Sequence, residues 1–231
     1  ATISVLSAIE VRRRRACEVE VALNRRLSPD VYLGVGGLRS PDEDEDEPVV
    51  VMRRLSPATR LSSLVQAGDP AVEDHVRAVA DVVARFHAGS PVTDVAVEAA
   101  SPEATRRRWD DNHAEMGPLL PAAGGGEAME LAAEVVTLAR TYLDGRAPLL
   151  RARAEAGWAR DGHGDLLADD VFCLADGPRI LDCLEFDERL RQGDVLADAA
   201  FLAMDLERLG RADLGAALLE RVREALADDW P

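Results

Sequence analysis

The chain has 231 residues, of which 47% are apolar and 4% aromatic, and its formal net charge is −16. This length fits one domain or two small lobes around an ordinary soluble core. The negative charge argues against a nucleic-acid backbone or an anionic membrane as the main partner, because like charge raises the cost of approach, while it allows a cationic small molecule. Nothing in the composition indicates an oligomeric state.

Several whole classes of chemistry are excluded by residues that the sequence lacks. The chain contains no lysine, which rules out a GxxxxGK[ST] phosphate loop and a Schiff-base nucleophile. Its three cysteines have no CxxC spacing, so neither a disulfide framework nor a zinc site is indicated. No apolar run reaches about 18 residues and the N-terminus lacks a basic-then-apolar signal pattern, so we expect a cytoplasmic protein.

The first third of the chain reads as one helix followed by two strands. Helical propensity and spacing predict a helix over 11–27, and short β-branched runs predict strands at 31–35 and 49–52. Between the strands, Gly36-Gly37 and the acidic run from Asp42 to Glu47 are typical of an exposed loop.

The middle of the chain is predicted to be helical. A helix from Asp69-Pro70 to about His87 carries valines at steps of three and four, and Ser101-Pro102-Glu103 is a good start for a helix that runs to about Met116. A flexible link is expected at 122–126. A further helix is expected over 127–156, with an interruption around 145–148.

The last eighty residues combine a β-hairpin with two helices. The runs 171–174 and 179–186 flank Ala175-Asp176-Gly177-Pro178, which is a hairpin signal. Amphipathic helices follow at 195–209 and 214–227. The order predicts an α+β fold, with a small mixed part before a larger, mainly helical part that holds the hairpin.

Candidate catalytic residues are densest directly before this hairpin, in the segment Gly162–Asp170. Asp165 and Asp170 bracket one loop, and the second hairpin strand would bring Asp182 back beside it. Phosphoryl transfer needs a carboxylate that receives the proton of the attacking hydroxyl and oxygen ligands that hold magnesium against the phosphates. Three converging carboxylates would repel one another unless a cation lay between them, so the arrangement predicts Mg²⁺.

Three motifs in this region resemble the aminoglycoside phosphotransferase and choline kinase-like superfamily. GHGDLLADD at 162–170 is similar to its HGDxxxxN loop, and LDCLEF at 181–186 is similar to its second metal-binding motif. Together with DVLADAAFLAMDL at 194–206, they look closest to a branch that is often fused to a P-loop ATPase domain. The likeness spans about 162–210 and is weaker towards the N-terminus.

The resemblance implies a protein-kinase-like two-lobed fold. A partial N-lobe would occupy 1–55, with the hinge near 52–55, and a mainly helical C-lobe would occupy 56–231. The catalytic loop would be 162–170 and the hairpin 171–186.

The resemblance also implies ATP as phosphate donor, with Asp165 as the catalytic base or hydroxyl-orienting residue. Asp170 and Asp182 would hold Mg²⁺, while His163 and Asp198 would support the loop. The other implied site residues are Glu20, Met52, Arg53 and Leu55 for the nucleotide. Glu185 and Asp187 lie just beyond Asp182 in the sequence, where a cationic substrate could meet them, and the alternative is that they are ordinary surface acids.

The sequence departs from the family pattern in ways that keep other interpretations open. The lysine that Glu20 would pair with is absent, no glycine-rich hairpin precedes the first helix, and Asp170 replaces asparagine. Gly34–Gly37 and Arg12–Arg15 are weaker candidates for a substitute phosphate site. The leading hypothesis is a kinase that phosphorylates a hydroxyl of a sugar, amino sugar or aminoglycoside. The alternatives are a degenerate kinase-like binding or regulatory module, and a piece of a longer kinase.

Overall fold

A computed structural model describes residues 2–39 and 46–229 of the chain. The helices are α1 (Thr2–Asn24), α2 (Leu61–Ala67), α3 (Val72–Gly89), α4 (Asp94–Ala99), α5 (Pro102–Met116), α6 (Leu120–Arg153), α7 (Glu188–Arg191), α8 (Val195–Arg208) and α9 (Ala212–Leu226). The strands are β1 (Tyr32–Arg39), β2 (Asp46–Met52), β3 (Ala159–Asp161), β4 (Val171–Leu174), β5 (Gly177–Ile180) and β6 (Gln192–Asp194). Within these ranges no helix is long and apolar enough to cross a bilayer.

The described residues form two compact units. The first takes its residues from 1–90, 162–191 and 196–231, and the second from 91–161 and 192–195. Consequently α1, β1 and β2 belong to the same unit as the predicted catalytic loop, and α4, α5 and α6 belong to the other. The mixture of helices with short antiparallel strands agrees with the predicted α+β class.

Each sheet in the described part of the chain has two antiparallel strands: β1 with β2, β4 with β5, and β3 with β6. The first two sheets lie in the first unit and the third lies in the second unit. The β3–β6 pair was missed by the sequence reasoning, because three-residue strands carry too few positions to show an alternating pattern.

The main core of the first unit forms between α3 and α9. Val76, Val79 and Val83 of α3 are almost fully buried, and so are Leu218 and Val222 of α9. Burying a side chain of this size stabilises a fold by roughly 1.5–3 kcal/mol. The valine spacing that predicted α3 therefore marks the face that holds this unit together.

The predicted helices are present, with two errors inside α6, of which the first is that the link expected at 122–126 lies within the helix, which begins at Leu120. Ser101 caps α5 by accepting a hydrogen bond from the N–H of Ala104, as the Ser-Pro-Glu start predicts. The interruption predicted at 145–148 is wrong, since α6 continues through Pro148. The non-helical backbone lies instead at Gly125, where φ is 61°, inside the predicted link.

The strands of the first third are longer than predicted. Gly36 and Gly37 do not form a loop: they lie in β1, opposite Val49 and Pro48 of β2. A Cβ at Gly36 would lie 2.9 Å from a methyl group of Val51, so these glycines allow close cross-strand packing rather than a phosphate loop. Residues 42–45 of the predicted acidic loop lie outside the described residues.

The second hairpin strand is shorter than predicted. Strand β5 ends at Ile180, opposite Val171, and the predicted extension to Phe186 is wrong. After Ile180 the N–H of Leu181 donates to the carbonyl of Asp170, and the chain then turns at Asp182, whose φ is 64°. Asp182 therefore follows the hairpin instead of lying within it.

The contact between α8 and α9 depends on Gly215. A Cβ at this position would lie 2.7 Å from the backbone carbonyl oxygen of Ala203 in α8. Because backbone cannot move aside cheaply, we expect Gly215→Ala to lower the free energy of unfolding by about 1–3 kcal/mol in urea denaturation.

The matched control is Gly145→Ala in α6, where nothing lies within 4 Å of the added Cβ. This change should raise stability by about 0.5–1 kcal/mol, because alanine favours a helix interior over glycine. Equal effects of the two substitutions would contradict close packing of α8 on α9.

Candidate active site

Asp198 of α8 binds the backbone of the predicted catalytic loop. Its two carboxylate oxygens accept the N–H groups of His163 at 2.9 Å and Gly164 at 2.8 Å, and Nε2 of His87 lies 3.2 Å from Oδ2. Burial of this carboxyl opposes ionisation, but the contacts with His87 and the loop amides outweigh it and lower the pKa of Asp198. A buried carboxylate thus fixes the start of the loop.

His163 is a buried bridge within the site rather than a free acid or base. Its Nε2 lies 2.9 Å from the carbonyl oxygen of Leu181, and its Nδ1 accepts the N–H of Asp165 at 3.3 Å. Burial lowers the pKa of His163 because the charged imidazolium would lose its hydration. The neutral ring, with the proton on Nε2, joins the loop to the segment that carries Asp182.

A second acid of α8 supports the far end of the loop and was assigned no role from the sequence. Asp205 is 3% exposed, and its Oδ2 accepts the N–H of Ala168 at 2.9 Å. The sequence does contain a signal for this role: Asp198 and Asp205 are two helical turns apart, so they share one face of α8. Ser62 of α2 adds a hydrogen bond to the carboxylate of Asp169.

The three carboxylates that carry the sequence prediction lie near one another. The pKa of Asp170 is raised to about 6, first by burial and then by the charges of Asp182 and Asp165. Burial likewise raises the pKa of Asp165, to which the charge of Asp182 adds. The structure therefore gathers Asp165, Asp170 and Asp182 in one electrostatic group within the first unit.

This group does not form a closed metal cage. Among the residues that the structure describes, no three His, Cys, Asp or Glu side chains are placed to bind one ion together. The expectation that all three carboxylates surround a shared Mg²⁺ is therefore not met in that form. Magnesium in phosphoryl-transfer sites is usually held by one or two carboxylates, with phosphate and water oxygens completing the octahedron. Asp170 and Asp182 fit that pattern.

Glu20 of α1 lies near Asp182, one of these three acids. Burial raises the pKa of Glu20, and so do the nearby charges of Glu185 and Asp182. No basic side chain pairs with Glu20 among the described residues. The structure thus brings Glu20 and Glu185 near Asp182, with no basic side chain paired with Glu20 in the described part of the chain.

Tyr32 at the start of β1 also belongs to this group, although sequence reasoning treated it only as part of a strand. Its phenol is 2% exposed, and its hydroxyl accepts the N–H of Asp182 at 3.2 Å. The pKa of Tyr32 is raised to about 12, chiefly by burial and also by the charges of Glu20, Asp182 and Asp170, while the hydrogen bond with the N–H of Asp182 opposes the shift. No sequence signal distinguished this tyrosine from an ordinary core residue.

Arg60 is the basic group beside Asp170. Its guanidinium carbon lies 5.3 Å from the ring centroid of Phe172, and its Nε is buried without a hydrogen-bond partner among the described residues. The charge of Arg60 opposes the effects that raise the pKa of Asp170. A guanidinium therefore stands at the edge of the acidic group, at a position that the sequence did not single out.

The predicted hinge residues occupy the end of β2 and the turn after it. Met52 is 39% exposed, and Leu55 packs partly against a small core that includes Tyr32 and Phe172. The backbone N–H of Arg53 donates to the carbonyl of Val31 at 2.8 Å, so this amide is already used within the fold.

The two acids proposed for a cationic substrate differ in their surroundings. Asp187 is bound by the guanidinium and backbone N–H of Arg189, and these hydrogen bonds lower the pKa of Asp187 to about 2. Glu185 instead lies with Glu20. Of the two acids, Glu185 is therefore the one that lies near the cluster of Asp165, Asp170 and Asp182.

A cavity of about 290 Å³ lies elsewhere in the first unit, between α3 and α9. Its walls include two acids, Glu73 and Asp213, and two arginines, Arg77 and Arg221. None of its lining residues is Asp165, Asp170 or Asp182. The candidate site is therefore defined by these acids and their hydrogen bonds, and not by this cavity.

Comparisons with known proteins place the chain beside relatives in mycobacteria. No family model matches it. It is 43% identical over 204 residues to the uncharacterized protein Rv2004c of Mycobacterium tuberculosis and to the uncharacterized protein Mb2027c of Mycobacterium bovis. These matches cover 88% of this chain and 40% of each relative, so the chain spans about two fifths of the relatives' length.

One solved structure, of a glucosamine kinase in complex with glucosamine, ADP and inorganic phosphate, is similar over 95% of this chain and 55% of that one. The TM-score is 0.47 and the sequence identity 15%. Similarity at this level does not by itself define a common fold or activity, so a function for this chain has to be supported by its own site.

Proposed function

We propose that this chain carries the phosphotransfer site of an ATP-dependent small-molecule kinase. The observation that supports this most is the grouping of three acids: Asp165 and Asp170 lie on a loop whose backbone is fixed by the buried carboxylate of Asp198, and Asp182 lies near them after the hairpin. Holding carboxylates close together costs free energy because their charges repel one another. Such clusters of acids with shifted pKa values are typical of functional sites, and a bound magnesium ion would offset the repulsion.

In the proposed reaction, Asp165 receives the proton of an acceptor hydroxyl as that oxygen attacks the γ-phosphorus of ATP. The new bond joins the acceptor oxygen to phosphorus, the bond from phosphorus to the bridging β–γ oxygen breaks, and ADP leaves with the electron pair. Positioning and charge stabilisation supply most of the catalysis in such transfers. The raised pKa of Asp165 suits a group that takes up a proton.

Asp170 and Asp182 are the residues that would hold magnesium. When bound, Mg²⁺ neutralises the charge of the β- and γ-phosphates. With only two carboxylates to offer, the chain would bind the ion mainly together with the nucleotide. Arg60 would lie on the Asp170 side of the phosphates, where a guanidinium can bind their oxygens.

The proposed acceptor is a small molecule with a hydroxyl group and a positive charge, such as an amino sugar or an aminoglycoside. Glu20 and Glu185 add negative charge beside Asp182, and the chain as a whole carries −16. A cationic acceptor would reduce the repulsion among these carboxylates on binding.

A second candidate function is a binding or regulatory module that keeps the fold without transferring phosphate. It is favoured by one observation, the absence of a basic partner for Glu20 among the described residues, together with the absence of lysine. In this interpretation the acids bind a ligand and Asp165 has no proton to accept.

The two functions are separated by incubating the protein with Mg²⁺, ATP labelled at the γ-phosphate, and a panel that includes glucosamine and aminoglycosides. A kinase transfers label to a panel member at a rate that depends on Asp165. A binding module leaves the label on ATP with every acceptor, and that result would overturn the proposed activity.

A further inference from the structure

The segment that carries Asp182 holds a backbone conformation that L residues avoid. Asp182 has φ of 64°, and Ala227 is the other non-glycine residue with positive φ in the described chain. A left-handed residue costs on the order of 1–2 kcal/mol and persists only where its surroundings determine it. Contacts around Asp182 must therefore hold this turn in place.

Three of these contacts come from one continuous stretch, the end of α1 and the start of β1. Ser28 Oγ donates to the carbonyl of Ile180 at 2.7 Å, and Asn24 Oδ1 accepts the N–H of Cys183 at 2.8 Å. Between them, the Tyr32 hydroxyl accepts the N–H of Asp182 itself at 3.2 Å. The carbonyl of Ile180 and the N–H groups of Asp182 and Cys183 thus all have partners on residues 24–32.

The same stretch is tied to Glu20. Asn24 Nδ2 donates to the backbone carbonyl of Glu20 at 3.0 Å, so one side chain contacts both the turn after Asp182 and the helical turn that carries the glutamate. Tyr32 packs its ring in a core with Val21 of α1 and Leu181. A displacement of α1 would therefore disturb the backbone of Asp182 directly.

We propose that Tyr32 is a positioning residue for Asp182: its hydroxyl fixes the left-handed backbone and so directs the carboxylate, while Asn24 links that turn to the helix bearing Glu20. The structural part of this inference stands on the contacts alone. Its consequence for magnesium rests on the proposed function.

The test compares Tyr32→Phe with Tyr142→Phe. The first removes a hydroxyl while keeping the ring, and the second does the same at the other tyrosine, Tyr142 on α6, which is 59% exposed. Hydrogen exchange of the Asp182 amide, followed by NMR, should accelerate about five- to tenfold in Tyr32→Phe and not in Tyr142→Phe. An unchanged rate would show that the hydroxyl does not hold the turn.

The functional readout is the Mg²⁺ concentration for half-maximal phosphate transfer. In Tyr32→Phe it should rise about tenfold while KM for the acceptor stays the same, a split that a general loss of packing would not produce. Equal changes in both constants would overturn the positioning role. If the unmodified protein transfers no phosphate, the kinase proposal fails, and the exchange experiment still decides whether Tyr32 holds Asp182.

Asn24→Ser is the second variant, for use if Tyr32→Phe does not fold. It shortens the acceptor that holds the Cys183 amide without touching the Tyr32 ring. Accelerated exchange at Cys183, with the rest of the α1 amides unchanged, is the expected result. Unchanged exchange at Cys183 would overturn the link between the turn and α1.

Discussion

Replacing Asp165 by asparagine is expected to reduce phosphate transfer by about 10²–10⁴-fold, the range in which a positioned acid or base contributes to a reaction. Asparagine keeps the size of the side chain and cannot take up the hydroxyl proton. Since the side chain of Asp165 accepts no hydrogen bond within the described part of the structure, thermal stability should hardly change. Nucleotide binding should also remain.

The measurement is initial-rate transfer of labelled phosphate to whichever panel member the unmodified protein phosphorylates. Asp213→Asn is the matched control, because Asp213 is an exposed acid on α9 that pairs with Arg211. Transfer by Asp165→Asn within a factor of three of the control would contradict the assignment of Asp165 as the proton acceptor.

Asp198→Asn is expected to cause the largest loss of stability, about 3 kcal/mol. The amide side chain offers one acceptor where the carboxylate offers two, so the N–H of either His163 or Gly164 loses its partner. It also removes the charge that faces His87 in a buried setting. At about 2–4 °C per kcal/mol for a chain of this size, the midpoint of thermal unfolding should fall by roughly 6–12 °C.

Scanning calorimetry of Asp198→Asn beside Asp213→Asn measures this effect. The exposed control should lie within about 0.5 kcal/mol of the unmodified protein. Activity should fall with stability in Asp198→Asn, because the loop that presents Asp165 loses its support. A midpoint equal to that of the control would show that Asp198 does not brace the loop.

Local sequence signals were sufficient where one residue type determines the structure. The serine before Pro102 located the start of α5, and valines at helical spacing located α3 and its buried face. The strand runs at 31–35 and 49–52 were found because β-branched residues dominate them. In each case the deciding property belongs to a short stretch of chain.

The errors arose where distant residues decide the conformation. The pairing of Gly36 and Gly37 depends on the facing strand, since only there does the lack of a Cβ matter. Pro148 does not end α6, although proline removes one N–H from the helix ladder. Strand β5 stops at Ile180 because the extended backbone cannot continue through Asp182, where φ is 64°, which β-propensity alone could not predict.

The candidate site shows the same division. Motifs placed Asp165, Asp170, Asp182 and Glu20, and the structure brings these acids together. Tyr32 was not found, because its role depends on one hydrogen bond between residues 150 positions apart. Nor did the sequence reveal that Asp187 is bound by Arg189, which depends on side-chain conformation.

The claim that these carboxylates hold a magnesium nucleotide is tested most directly by calorimetric titration with Mg·ATP and, separately, with Mg²⁺ alone. The account predicts saturable binding of Mg·ATP that Asp182→Asn weakens about tenfold or more, and much weaker binding of the ion alone, because two carboxylates without phosphate oxygens complete only part of its coordination. Absence of heat from Mg·ATP up to millimolar concentration, or equal affinity in Asp182→Asn, would contradict it.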